Sequence, residues 1–147
     1  MFKKILVPID GSDVSIKSLR TAARMGEIFG SEITIIHVMQ FPSSLVLFET
    51  YNGKLGEIHY QLKERVETLG EKILENAEEI CMSYDVRTRE KSVWGEPANE
   101  ILQEAIFGNY DLVVIGSRGS DEIEDWLLGS VCQRVVRRAN CPVLVIR

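Results

Sequence analysis

The chain has 147 residues, 45% of them hydrophobic, which suits a single domain over residues 1–147 that needs neither a disulfide nor a metal to fold. Its net charge of −5 argues against a nucleic-acid partner, whose phosphates demand a basic face. Met1-Phe2-Lys3-Lys4 opens the chain, but the apolar run after it is short and broken by Pro8. The expectation is therefore no signal peptide, no membrane span and a cytoplasmic protein.

Strand and helix patterns alternate along the chain, the signature of parallel α/β architecture. An apolar strand over about residues 3–9 leads into a helix near 13–29, with Leu19, Ala22, Ala23, Gly26 and Phe29 on its inner side and Gly30 as its C-cap. Ile33 to Val38 reads as the second strand. A long helix over about 57–82 carries Ile58, Leu62, Val66, Leu69, Ile73, Ala77 and Ile80 at steps of three and four. Val86 to Val93 is a third strand, polar enough to lie near a sheet edge. Pro97 fits the first position of a helix over 97–107 that buries Ile101, Leu102, Ala105 and Ile106. Asp111-Leu112-Val113-Val114-Ile115 is a buried fourth strand, a helix over about 130–138 turns Val131, Val135 and Val136 inward, and Val143 to Ile146 forms the fifth strand.

Between the fourth strand and the last helix lie Gly116-Ser117-Arg118-Gly119 and, further on, Gly129-Ser130. A strand that ends in glycines and hands over to a helix start presents backbone N–H groups and a positive helix end, both of which favour phosphate. Glycine contributes in two ways, by allowing positive φ and by letting a ligand approach the backbone without meeting a Cβ. Ser130 adds a hydroxyl at the helix start. A turn followed by a helix cap would have the same composition.

The context narrows the choice. "ILVPIDGS" near the start, "DLVVIGSRG", "LLGSV" and the closing "CPVLVIR" together resemble the universal stress protein family over almost the whole chain, residues 40–56 excepted. The glycine spacing resembles that of its ATP-binding branch. The resemblance implies a doubly wound five-stranded parallel sheet of order 3-2-1-4-5 with helices on both faces, and a ligand crevice between strands one and four. It implies that Pro8 and Asp10 flank adenosine, the carboxylate facing a ribose hydroxyl, and that the Val38 backbone meets the adenine edge. Gly116 would border the ribose, and Gly119, Gly129, Ser130 and Val131 would hold phosphate, with Ser12 and Met39 at the margin. The implied ligand is ATP, or AMP or ADP, with or without Mg²⁺, in a regulatory protein of the stress response. A homodimer formed through the last strand is implied too, with the downstream partner unknown.

The chain departs from the family after Gly119, where Ser120-Asp121-Glu122-Ile123-Glu124-Asp125-Trp126 places four acids beside a polyphosphate site. These acids either face water or select for fewer phosphates or a bridging Mg²⁺. Catalytic groups are scarce: His37 sits in an apolar strand as a core histidine would, His59 is far in sequence from the glycines, and no P-loop or nucleophile elbow is present. No catalytic or metal-binding residue is assigned, and a slow ATPase, an adenylyl-transferring enzyme or an interaction protein with a vestigial site remain as alternatives. Cys81, Cys132 and Cys141 form no metal-ligand spacing and are expected as reduced, mostly buried thiols. Trp94 and Trp126 read as packing residues. The apolar 40–56 connection is either an irregular segment over the second helix, a flap over the nucleotide, or part of an oligomer interface.

Overall fold

A computed structural model describes residues 1–42, 56–119 and 127–147. The acidic loop 120–125, Trp126 and most of the 40–56 connection lie outside these residues, so the expectations attached to them rest on sequence alone. Strands β1 (Lys4–Pro8), β2 (Glu32–Met39), β3 (Arg87–Trp94), β4 (Leu112–Gly116) and β5 (Val143–Ile146) alternate with helices α1 (Asp13–Phe29), α2 (Gly56–Cys81), α3 (Pro97–Phe107) and α4 (Ser130–Arg138). The strands pair in parallel in the order β3-β2-β1-β4-β5. This is the doubly wound sheet that the resemblance implies, with polar β3 at one edge and apolar β5 at the other.

The strand period of two explains how the sheet serves two helix layers at once. Ile5, Val7, Ile9, Ile33, Ile35, Leu112 and Val114 pack with Leu19, Ala22 and Ala23 of α1 and Leu74 and Ala77 of α2. Leu6, Ile36, Val113 and Ile115 face the other way, onto Ile101 and Ala105 of α3 and Cys132 and Val135 of α4. Both faces of the central strands are therefore buried, as their unbroken apolar runs require.

Local signals set the ends of α1. Ser12 caps it by accepting from the Ser15 amide, and Gly30 closes it in the left-handed region at φ 68°. Gly11, at φ 83°, makes the turn from β1 into α1, a conformation that a side chain would strain. Pro97 opens α3 at its first turn, after Glu96, whose carboxylate accepts from the Ala98 and Asn99 amides.

The helix faces are narrower than the sequence period suggests. Phe29, Ile58, Leu69, Ile106 and Val136, all expected to point inward, are exposed. In α2 the buried line passes instead through Gly70, Leu74, Ala77 and Cys81. A single sheet face covers only part of a helix circumference, so apolar residues at the margin of the stripe stay in water. Cys81, Cys132 and Cys141 form no disulfide, with Cys81 and Cys132 buried and Cys141 partly so. Burial, with Glu90 nearby, pushes the Cys81 thiol up to about 11, which keeps it protonated and unreactive.

Candidate functional site

The two sides of β1 are built differently. Against β2 it pairs in register from Lys4↔Glu32 to Pro8↔Ile36. Against β4 the pairing covers only Ile5↔Leu112 and Leu6↔Val113. The hydrogen-bonding direction of a strand alternates residue by residue. Ile9 N–H donates to Ile36 C=O on the β2 side, whereas Lys4 C=O accepts from Asp111 on the β4 side. Pro8 belongs to the β4-facing set, where its missing N–H removes a rung. The strands part at the topological switch point, the place where open α/β sheets bind ligands.

The resulting cavity, about 310 Å³, is lined by Pro8, Asp10, Val38, Gly116, Gly119, Gly129, Ser130 and Val131. Residues from both ends of the sequence thus meet in one crevice whose volume lies at the lower end for small-molecule sites. Ser15, Gln40, Pro97, Ile101, Arg118 and Cys132 also line it, over a floor that includes Ile9, Ile36 and Ile115. The sequence reading did not assign Pro97, Ile101 and Cys132 to it. Their signal was positional: Pro97 opens α3 just past the carboxyl end of β3, and Cys132 follows Val131 within the first turn of α4.

Asp10 is exposed at the end of β1. Its Oδ1 accepts from the Ser12 amide at 2.9 Å and from the Ser12 hydroxyl, which fixes the turn. Its Oδ2 faces the glycine loop, 3.0 Å from where a Cβ on Gly119 would lie. One carboxylate therefore serves both as a turn former and as a crevice wall. Ser12 is the α1 cap and Met39 borders a neighbouring, more open hollow with Phe41, His59 and Trp94, so neither marginal residue lines the crevice.

Gly116 and Gly119 act through close approach. Gly116, Gly119 and Gly129 are absent from the positive-φ set, and Gly129 sits at φ −64°. A Cβ on Gly116 would lie 2.9 Å from Val14 Cγ1 and 3.3 Å from the Ser15 amide nitrogen. Gly116 is thus required for α1 to pack against the end of β4. Gly129 N–H donates to Ser117 C=O at 2.7 Å, pinning the start of α4 beside the end of β4. The first turn of α4 then points its dipole into the crevice.

Opposite it, Glu96 at the start of α3 pairs with Arg134 of α4 at 2.8 Å, and Arg134 also donates to Asn99 at 2.8 Å. This contact joins the two helices that wall the crevice. His37 is buried with its Nδ1 2.9 Å from Ile9 C=O, the satisfied core histidine expected from sequence. Trp94 packs as expected, its ring stacked 4.8 Å from Phe41, which in turn lies 4.5 Å from His59. The 40–56 connection therefore begins by packing Phe41 onto α2. No helix among the described residues is long and apolar enough to cross a membrane.

The whole chain, residues 1–147, matches the model of the universal stress protein family. It is 36% identical over 150 residues to the universal stress protein YxiE of Bacillus subtilis, covering 100% of each. The structure of universal stress protein UspA from Lactobacillus plantarum superposes with a TM-score of 0.87 at 21% identity, covering 99% of this chain and 98% of that one. Two more solved structures share the fold and carry nucleotides. A universal stress protein in complex with cAMP aligns with a TM-score of 0.69 at 23% identity, covering 99% and 97% of the two chains. One from Archaeoglobus fulgidus in complex with dAMP aligns with a TM-score of 0.66 at 21% identity, covering 100% and 98%.

Proposed function

The chain belongs to the universal stress protein family, and from that premise we propose that it binds an adenine nucleotide, ATP, ADP or AMP, in the crevice between β1 and β4. We read residues 1–147 as one nucleotide-binding domain of the glycine-motif branch, a cytoplasmic regulatory protein of the stress response. The observation that carries this reading is the convergence of Pro8, Asp10, Val38, Gly116, Gly119, Gly129, Ser130 and Val131 on one cavity. Family structures with cAMP and dAMP support an adenine ligand. The nucleotide occupies the switch point, its ribose beside Asp10 and its phosphates at the start of α4, with Mg²⁺ as an optional bridge.

Thermal denaturation with added nucleotide tests the proposal. A ligand at about 100 times its Kd stabilises the fold by roughly 2.7 kcal/mol, or about 5 to 10 °C in a chain of this size. Melting curves unmoved by millimolar ATP, ADP and AMP would instead support an interaction protein with a vestigial site. If ATP binds, a turnover assay separates a slow ATPase from a switch.

We further propose that the protein is a homodimer through β5. That edge strand is apolar and only half-buried, whereas the opposite edge, β3, carries Arg87, Arg89, Glu90 and Lys91. Charges blunt an exposed edge, and an apolar edge needs cover. A two-fold pairing of β5 with its own copy supplies it. Analytical ultracentrifugation should give a dimer for the wild type and monomer or aggregate for Leu144→Pro, and a monomeric wild type at micromolar concentration removes the proposal.

A further inference from the structure

We propose that His37 is a positioning residue that keeps the Val38 backbone turned toward the base of the nucleotide, an inference that rests on the nucleotide reading of the crevice. Its origin is a side chain standing where a backbone rung belongs. Ile9 N–H donates to Ile36 C=O at 2.9 Å. In an unbroken parallel ladder the next rung would run from Val38 N–H to Ile9 C=O. The His37 ring holds that carbonyl instead, Nδ1 to oxygen 2.9 Å, with the residue only 8% exposed. A carbonyl only accepts, so Nδ1 carries the proton.

The ring is locked in place. Gly70 of α2 lies against its far edge, so close that a Cβ there would be 3.1 Å from His37 Cδ2 and 3.4 Å from Nε2. α2 thus presses the imidazole toward β1. The consequence falls on Val38, which lines the cavity. Its N–H and C=O share the β1-facing direction of the Ile36 carbonyl, but at this level β1 has already turned away through Asp10 and the Asx-type turn at Ser12. Ile9 C=O is turned to the ring and makes no backbone bond with Val38 N–H, so the Val38 donor and acceptor both face the crevice. A donor beside an acceptor on one residue matches the N1 acceptor and 6-amino donor of adenine. It mismatches hypoxanthine, which offers an N1 donor and a 6-oxo acceptor.

The test has a ligand-free arm and a ligand arm. In the free wild-type protein the Val38 amide should exchange with deuterium at least about tenfold faster than the Ile36 amide, which lies inside the ladder. In His37→Leu, Ile9 C=O becomes available to Val38 and the Val38 amide should slow toward the Ile36 rate. The preference for AMP over IMP should then fall about tenfold, the worth of one well-made hydrogen bond. His37→Asn places an amide donor at the same δ position and should keep both wild-type behaviours. Equal protection of Val38 and Ile36 in the wild type overturns the inference, even if the leucine variant does not fold. An unchanged AMP-to-IMP ratio in a folded His37→Leu also overturns it. If wild-type protein binds neither nucleotide while Val38 exchange still responds to His37→Leu, the nucleotide reading falls and the hold of His37 on the ladder stands.

Discussion

The same parallel strands end in opposite ways at the two ends of the sheet. At the amino end, protein groups hydrogen-bond the start of β1 to its neighbours. Asp111 Oδ2 accepts from the Lys3 and Lys4 amides at 2.8 Å each, Lys4 Nζ reaches Gly108 C=O at 2.5 Å, and the Ser31 hydroxyl donates to Phe2 C=O. Tyr110 lies under the Lys4 ammonium and donates to Glu104 at 2.8 Å, and burial pushes its hydroxyl up to about 12. At the carboxyl end β1 and β4 part beyond Leu6 and Val113, and a cavity of about 310 Å³ takes the place of packing. The amino end spends its polar groups on the fold, while the carboxyl end presents strand ends and helix starts to a ligand. Stability and binding should therefore respond to different residues.

Gly119→Val should have the largest effect, abolishing nucleotide binding in calorimetric titrations by placing a branched side chain in the phosphate approach and against Asp10 Oδ2. Its melting temperature without ligand should stay near wild type. At the amino end Asp111→Ala should do the reverse. Two charge-assisted bonds to backbone amides are lost, which costs about 1–2 kcal/mol in urea unfolding, while AMP affinity stays unchanged. A drop in AMP affinity for Asp111→Ala would break the separation between the two ends. Pro8→Ala restores a donor on the β4 side of β1 and should draw the strands together, lowering AMP affinity several-fold in the same titrations.

The smallest effect concerns the acids after Gly119. A carboxylate about 8 Å from a phosphate repels it by roughly 2 kcal/mol at an effective dielectric near 20. A Debye length of about 8 Å at physiological salt removes much of this for exposed groups. Replacing Asp121 and Glu122 with Lys should raise ATP affinity a few-fold relative to AMP when Mg²⁺ is absent. With Mg²⁺ bridging carboxylate and phosphate, the same change should weaken ATP.

Much of this contrast was legible in the sequence because it is carried by local signals. Apolar runs marked the strands, Gly30 and Pro97 marked helix ends, and the polar content of β3 put it at an edge. Strand order was not readable from any local pattern and came from the family resemblance. The eight site residues were named by the same route, and the fold brings them to one crevice. What escaped was set by distant contacts. Nothing near Gly116 in sequence reveals that Val14 presses on it, and the φ values show that close approach, not left-handed backbone, explains the glycines at Gly116 and Gly119. Helical period alone put Leu69 and Ile106 inside, although the sheet face reaches only the centre of each stripe. The Glu96–Arg134 bridge joins helices that are adjacent only after β4 has been inserted between β1 and β5.

A titration of isotopically labelled protein with AMP, followed through the backbone amide resonances, tests the central claim most directly. Shifts should concentrate at the carboxyl end, on Val38, Gly116, Gly119, Gly129, Ser130 and Val131, and leave Lys3, Lys4, Ser31 and Asp111 in place. Resonances unmoved at millimolar AMP, or shifts centred on the amino end, would contradict the assignment of the crevice as a nucleotide site.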